Sequence, residues 1–260
     1  MRTRKAIALC LDRQKAVDTV LFGLSRVPDS YLPFDHPLHN GNLQTYAFDP
    51  VSGREILEQV GWLDHDNDPS TPRRSLGVTN VPGGTPLILN YFTTSATQRR
   101  QVVEIFTSSL AECGIGLRPV YSTASDFYAQ GPAGPLFGRK FDLAQYALGV
   151  NTLEPQCNWF TTAQIPQESN NWIGTNVSGF SSADFDNSCE QTLQVLSSDP
   201  EYTFHQQAQV NFASELPSIP LYMRLKVATV RNDFCGFTLD ASSTYALADL
   251  ELFDYGSGCQ

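Results

Sequence analysis

The 260-residue chain carries 17 Lys and Arg residues against 27 Asp and Glu residues, which gives a formal net charge of −10. This negative balance disfavours nucleic acid and anionic lipid surfaces as partners, because both are bound through clustered positive charge. Hydrophobic residues at 41% and charged residues at 17% are typical of a globular protein. No apolar run reaches the roughly 18–20 residues of a membrane span.

The first half of the chain alternates between helical and strand patterns. Apolar residues recurring every three to four positions predict helices, and short β-branched or aromatic runs predict strands. In chain order we predict a helix over residues 3–22, a proline-rich extended crossing over 28–37, a helix over 50–60 with Asp49 as its N-cap, a polar loop over 64–74, a strand over 87–92, a helix over 96–113 and a strand over 117–121. The last three elements form a strand–helix–strand unit, which predicts two parallel strands covered by a helix.

The second half begins with a helical turn around residues 126–128 and a Gly- and Pro-rich link over 131–138. We then predict a strand from residue 141, helices over 182–197 and 200–216, a strand over 219–230 and a tail of turns and short strands. The alternation of both element types predicts the α/β class.

The segment from Phe141 to Cys189 is where we expect a ligand. Gln145 and Tyr146 bring polar groups to the end of a strand, and an irregular polar and aromatic segment follows. In α/β proteins, ligands usually bind beyond the carboxyl ends of the strands. No nucleophile lies beside a base in this segment, so we predict that the chain holds a small molecule and catalyses no reaction on it.

Six cysteines, with no CxxC spacing, favour disulfides and an oxidising compartment. Cys157 and Cys189 bracket the irregular segment, so their pairing is favoured. The pairs Cys235–Cys259 and Cys10–Cys113 follow from elimination and proximity. The other pairings that six cysteines allow stay open.

Three short motifs offer other chemistry. Asp64 to Asp68 is an acidic turn, but Pro69 stands where a calcium loop of the EF-hand type needs glycine. His36 and His39 have a metal-like spacing, yet two histidines are too few for a site. Asn176-Val-Ser178 is a glycosylation sequon, a pattern that is common by chance. We therefore predict no metal and no cofactor.

Several segments together resemble the C-terminal half of the extracellular solute-binding proteins of family 5, which capture oligopeptides and dipeptides for ABC importers. The resemblance lies in their order along nearly the whole chain. They are Arg4 to Arg13, Tyr46 to Pro50, Leu57 to Trp62, Leu110 to Ile115, Phe141 to Leu143, Asn176 to Asp186 and Ile219 to Tyr222.

The resemblance implies a fold similar to the C-terminal lobe of a type II periplasmic binding protein, with a mixed sheet flanked by helices. Residues 1–216 would form this second lobe. Residues 217–260 would return to complete the first lobe, whose N-terminal part is absent, so we expect the chain to be a fragment of a longer protein.

In this family two lobes close on a solute, and the resemblance implies the residues of one wall. They are Tyr128, Gln145, Leu148, Gly149, Asn151 and Arg224. Peptide-binding members carry an aspartate at the position of Asn151, which pairs with the amino group of the peptide. A neutral amide cannot stabilise an ammonium in this way, so the ligand stays open among peptides, sugars, opines and metal chelates.

The expected function is therefore substrate capture for an ABC importer, outside the cytoplasm, with the membrane permease and the missing lobe as partners. Two alternatives stay open. One is a secreted hydrolase that uses carboxylates or a His/Asp metal site. The other is a truncated product that serves as an interaction surface or has no function.

Overall fold

The computed structural model describes residues 2–149, 157–194, 203–240, 245, 247 and 249–259. Its helices are α1 (Arg2–Cys10), α2 (Arg13–Val20), α3 (Pro50–Val60), α4 (Thr97–Ala111), α5 (Ala124–Phe127), α6 (Ala183–Gln194) and α7 (Thr203–Glu215). Its strands are β1 (Trp62–Leu63), β2 (Arg74–Ser75), β3 (Ile88–Thr94), β4 (Gly116–Ser122), β5 (Leu143–Ala144), β6 (Phe234–Cys235) and β7 (Asp254–Tyr255). The α/β prediction is confirmed. None of the helices in these ranges combines the length and apolar character needed to cross a bilayer.

The single helix predicted over residues 3–22 is wrong, because the chain forms two helices there. The break falls at Leu11 and Asp12, where the Asp12 carboxylate accepts a hydrogen bond from the backbone N–H of Lys15 at 2.9 Å. An aspartate at this position satisfies an N–H group that has no partner inside the new helix. Apolar spacing continues across the break, which explains why the pattern did not reveal it.

Both ends predicted for helix α3 are confirmed. Asp49 caps its amino end and accepts from the Ser52 backbone N–H at 3.1 Å, and Pro50 occupies the first turn. Gly61 ends the helix with φ 104°, a left-handed conformation that glycine adopts at little cost.

A three-stranded parallel sheet, in the order β4–β3–β5, lies at the centre of the fold. Helix α4 connects β3 to β4, so the predicted parallel pair and its covering helix are confirmed. The helix buries Val102, Val103, Phe106 and Leu110. Because the three strands are parallel, their carboxyl ends meet at one edge, and Thr94, Ser122 and Gln145 mark that edge.

Four hydrophobic clusters lie in the described part of the chain, and the two largest are its main cores. The larger packs α1, α3 and α4 against β3, with Leu57, Tyr91 and Phe106 inside it. The smaller joins the irregular segment to α6 and α7, with Phe160, Phe185 and Phe212 at its centre.

The sulfur atoms form the three disulfides favoured from the sequence: Cys10–Cys113, Cys157–Cys189 and Cys235–Cys259. The first joins α1 to the end of α4 inside the larger core. The second lies inside the smaller core, and the third closes the tail around β6 and β7.

The strand predicted over residues 219–230 is wrong. In the described part of the chain these residues form no helix or strand and pair with no neighbouring strand. Alternating apolar and polar residues are typical of a strand. A strand forms, however, only where a neighbouring strand is present to share its backbone hydrogen bonds.

Helix α3 passes so close to the Cys10–Cys113 disulfide that a side chain at Gly53 would overlap Cys10 Sγ. Alanine is the better helix former by roughly 1 kcal/mol, but overpacking a core costs about 1–3 kcal/mol. We therefore expect Gly53→Ala to lower the free energy of unfolding by up to about 2 kcal/mol in urea denaturation.

The control repeats Gly53→Ala in a background with Cys10→Ala and Cys113→Ala, where the sulfur atoms are gone. There the substitution should be neutral or stabilising. An equal loss of unfolding free energy in both backgrounds would show that the cost of Gly53→Ala does not come from contact with the disulfide.

Candidate functional site

The candidate site lies at the carboxyl edge of the parallel sheet, where Gln145 follows β5. Its backbone N–H donates to the Phe92 carbonyl at 2.9 Å. Its carbonyl accepts from Thr93 Oγ1 at 3.0 Å, in a buried position. Two hydrogen bonds to the central strand therefore fix the backbone from which the Gln145 side chain projects.

The amide of Gln145 is buried and only half satisfied. The residue is 2% exposed. Its Nε2 donates to the Tyr222 hydroxyl at 3.3 Å, whereas its Oε1 has no hydrogen-bond partner among the described residues. Most buried polar atoms in folded proteins are paired, so an unpaired acceptor at a strand end indicates a place where another group binds.

Tyr222 connects the sheet edge to the segment after α7. Burial raises the pKa of its phenol, while the guanidinium groups of Arg99 and Arg224 and the hydrogen bond from Gln145 lower it. Arg99 also lowers the pKa of Tyr91, which burial raises far more strongly. Two cationic side chains from different elements therefore act on one small cluster of phenols.

The amino end of α4 adjoins this edge, because β3 leads into the helix. Its N-cap is Ala96, which makes no side-chain cap, and the first turn contains no acidic residue. Arg100 lies over the Tyr121 ring at 4.2 Å and donates through Nε to the Ser95 carbonyl at 3.1 Å. Arg99 is half-buried one position earlier.

The structure places the residues implied by the resemblance at different depths. Gln145 is buried, Tyr128 and Leu148 are each 40% exposed, and Gly149 has open space where a side chain would project. Asn151 lies outside the described residues.

Tyr222 is the point where two of these residues meet, since it bonds to Gln145 and lies within electrostatic reach of Arg224. Tyr128 contacts Phe127 with ring centroids 4.9 Å apart and lies close to Tyr146, whose pKa burial raises to about 12. The group around Tyr222 is more polar than the group around Tyr128.

Sequence reasoning did not single out Tyr222, which bonds to Gln145, or Arg99, which lies near the start of α4. Tyr222 ends the Ile219–Tyr222 segment that carried part of the resemblance, so a signal was present. Arg99 stands in the first turn of a helix without an acidic neighbour, and that unusual placement was the available signal.

The irregular segment after Cys157 is a packed structure organised by Asn176. Its Nδ2 donates to the carbonyls of Phe160, Thr161 and Phe180 at 3.0, 2.9 and 2.7 Å. The residue is 1% exposed, so the amide of the sequon is engaged inside the protein. Trp159 packs against the smaller core, which favours a structural role for this tryptophan.

The histidine pair of the proline-rich crossing is held by local contacts. His39 Nε2 lies 2.8 Å from Asp29 Oδ1, and His36 Nδ1 accepts from the Leu38 backbone N–H at 3.1 Å. Within the described ranges, no cluster of three or more His, Cys, Asp or Glu side chains has metal-site geometry.

Replacing the buried amides of Gln145 and Asn176 by apolar side chains should change the free energy of unfolding in different ways. Gln145→Met removes an amide whose oxygen is unpaired, so we expect the free energy of unfolding to stay the same or to rise by up to about 1 kcal/mol. Asn176→Leu is the matched control and removes several satisfied hydrogen bonds, so we expect it to cost about 2–4 kcal/mol.

Chemical denaturation of both variants measures the difference. A comparable loss in Gln145→Met and Asn176→Leu would mean that the Gln145 amide contributes to folding as Asn176 does, which would argue against an acceptor reserved for a ligand.

The chain is similar in sequence to one protein family and in structure to several solved binding proteins. The middle region of the bacterial extracellular solute-binding proteins, family 5, matches residues 1–164. A search of curated proteins finds no match.

Three solved structures illustrate the similarity of fold. An oligopeptide-binding protein from Thermus thermophilus, complexed with a pentapeptide, is 23% identical and has a TM-score of 0.80 over 93% of this chain and 40% of its own. A periplasmic oligopeptide-binding protein from Thermotoga maritima, bound to mannohexaose, is 16% identical with a TM-score of 0.73 over 95% and 46%. NikA from Brucella suis, in complex with Fe(III)-EDTA, is 20% identical with a TM-score of 0.65 over 85% and 41%.

The chain thus spans less than half the length of each of these structures. They share the type II periplasmic-binding fold, which supports the predicted architecture. Because the family match covers well over half of the chain, the protein belongs to the bacterial extracellular solute-binding proteins, family 5.

Proposed function

We propose that this chain is one lobe of the substrate-binding component of an ABC importer, and that the carboxyl edge of its parallel sheet is one wall of the solute cleft. The unpaired, buried Oε1 of Gln145 beside the Tyr222 hydroxyl is the observation that carries this proposal. The proposed wall comprises Tyr128, Gln145, Leu148, Gly149, Asn151 and Arg224, to which Tyr222 and Arg99 are now added.

The segment after α7 supports a second, facing lobe. Residues 219–230 form no helix or strand and have no strand partner in the described part of the chain. Val227 is 79% exposed, and Leu225 and Val230 are also exposed. Unpaired strands and exposed apolar side chains are usually covered in a folded protein. We infer that residues 1–216 form the second lobe and that residues 217–260 complete the sheet of a first lobe.

Membership of the family supports our proposals for the partners and the compartment. A substrate-binding component delivers its solute to a membrane permease, and we place that delivery outside the cytoplasm. The three disulfides fit an oxidising compartment. We propose capture of the solute without catalysis.

Solute identity is not fixed by the fold, because the similar structures hold a pentapeptide, mannohexaose and an iron chelate. The proposal that two lobes each supply one wall of the cleft is the two-wall account. Calorimetry tests it on this chain and on a form that also carries the first lobe. The probes are peptides, oligosaccharides and metal chelates. We expect a bound solute to lose at least about tenfold in affinity when only one wall is present, because roughly half of its contacts are removed.

Equal affinity in the two forms would contradict the two-wall account. Product analysis after prolonged incubation tests the absence of catalysis, and the bound solute should be recovered unchanged. The Gln145→Met variant, which should fold normally, is the control that ties binding to this edge of the sheet.

A further inference from the structure

We propose that the cavity beside Arg13 is a second binding site, separate from the sheet edge, and that it takes a carboxylate carried on a short apolar chain. The cavity has a volume of about 310 Å³. It is lined by the start of α2, by residues 27–29 and 44–48, and by Leu216 and Pro220 after α7. It shares no described residue with the proposed cleft wall, so this inference stands apart from the proposed function.

Arg13 brings a buried positive charge to the cavity. The residue is 7% exposed and forms part of the cavity wall. Two of the five N–H donors of its guanidinium bond to the carbonyls of Pro220 and Tyr46, which leaves three for another acceptor. No described carboxylate pairs with the charge. Tyr46 also lines the cavity, and its buried hydroxyl, a second donor, has no hydrogen-bond partner among the described residues.

Arg73, the other buried arginine of the described chain, has the partner that Arg13 lacks. It is 4% exposed, and its Nη1 lies 3.1 Å from Glu58 Oε1. Its Nε donates to the Cys113 carbonyl at 2.9 Å. A buried cation without a counter-ion is costly, and arginine binds a carboxylate through paired hydrogen bonds. A carboxylate in the cavity would give Arg13 the partner that Glu58 gives Arg73.

The rest of the wall fits the body of a small acid. Leu11, Val27 and Leu216 contribute apolar side chains. The cavity volume lies at the lower end of the range for small-molecule pockets. Asp29 is the acidic residue of this wall, and its carboxylate lies 2.8 Å from His39 Nε2, which engages its charge. The wall therefore combines one free cationic group with an apolar surface.

Two sources can supply this chemistry. One is a free short-chain acid, and the other is a carboxylate side chain of the first lobe, because the cavity adjoins the segment after α7. The experiment therefore uses both the 260-residue chain and the form that also carries the first lobe.

Butyrate and butyramide are matched probes, because they share one apolar chain and differ in charge. NMR titration of each probe follows the Arg13 Nε–H resonance and the backbone resonances of Gln44 and Thr45, which line the cavity. We expect butyrate to bind at least about tenfold more tightly than butyramide, since hydrogen bonds between charged groups are the stronger ones. The Arg13 resonance should shift with butyrate.

Two substitutions tie this binding to the cavity. Ala47→Phe fills the cavity from an exposed position and keeps Arg13, so it should abolish the response to both probes. Ala133→Phe is the matched control, because Ala133 is exposed and does not line the cavity, and it should leave both affinities unchanged. Arg13→Gln should bring the two affinities together. If thermal unfolding shows that Arg13→Gln does not fold, Ala47→Phe decides the question.

The outcomes test the site and its source. Failure of butyrate to bind, equal binding of butyrate and butyramide, or butyrate binding that survives in Ala47→Phe would overturn the carboxylate site. Butyrate binding to both forms of the protein would support a free acid as the ligand. Butyrate binding to the shorter form alone would support a carboxylate side chain of the first lobe that already occupies the cavity in the longer form. The sheet edge keeps its own test, because solute binding there involves different residues.

Discussion

The position of the candidate site depends on one buried cation, Arg13. Its guanidinium donates to the carbonyl of Pro220 at 2.8 Å and to the carbonyl of Tyr46. Burial lowers its pKa to about 10, so the group is still protonated at neutral pH. Among the described residues it has no carboxylate partner, and a buried charge is tolerated only when hydrogen bonds satisfy it. The two carbonyls supply those bonds, and neither belongs to a described helix or strand.

The hydrogen bonds of Arg13 position the segment after α7, which belongs to no described sheet. Pro220 lies two residues before Tyr222, and Ser25 Oγ donates to the Met223 carbonyl at 2.8 Å on the other side. Together these contacts bring Tyr222 to Gln145 across a gap of 77 residues in sequence. The start of α2 therefore determines where the phenol and Arg224 stand relative to the sheet edge.

The sequence predicted the parts of the fold that depend on local chemistry. Asp49, Pro50 and Gly61 specify both ends of α3, and the apolar spacing of α4 between two short strands specifies a parallel unit. The split between α1 and α2 was missed, since the capping of Asp12 competes with an apolar pattern that runs on without interruption. Residues 219–230 were predicted as a strand because apolar and polar residues alternate there. That alternation contains no information about whether a neighbouring strand is present.

The candidate site was likewise predicted from the sequence only in part. Gln145 was found because it ends a strand, and strand ends are local features. Its unpaired oxygen, its contact with Tyr222 and the approach of Arg99 arise from segments far apart in sequence, so no motif contains them. The disulfides are an intermediate case: the Cys157–Cys189 pair was favoured because it brackets the irregular segment, yet the core that it joins became visible only in three dimensions.

Three features of the sheet edge are unfavourable for folding and lie close together. Helix α4 begins without a side-chain cap and with cations near its start, Gln145 buries an unpaired acceptor, and the segment around Tyr222 pairs with no described strand. Helices α2 and α3 are capped and the amide of Asn176 is fully bonded. Tyr31, Tyr46 and Trp62, however, also bury a polar atom that has no hydrogen-bond partner among the described residues. Proteins commonly keep such unfavourable features where a ligand supplies the missing interactions. At this edge the proposed solute would donate a hydrogen bond to Gln145 Oε1, beside the Tyr222 hydroxyl that Gln145 Nε2 already contacts.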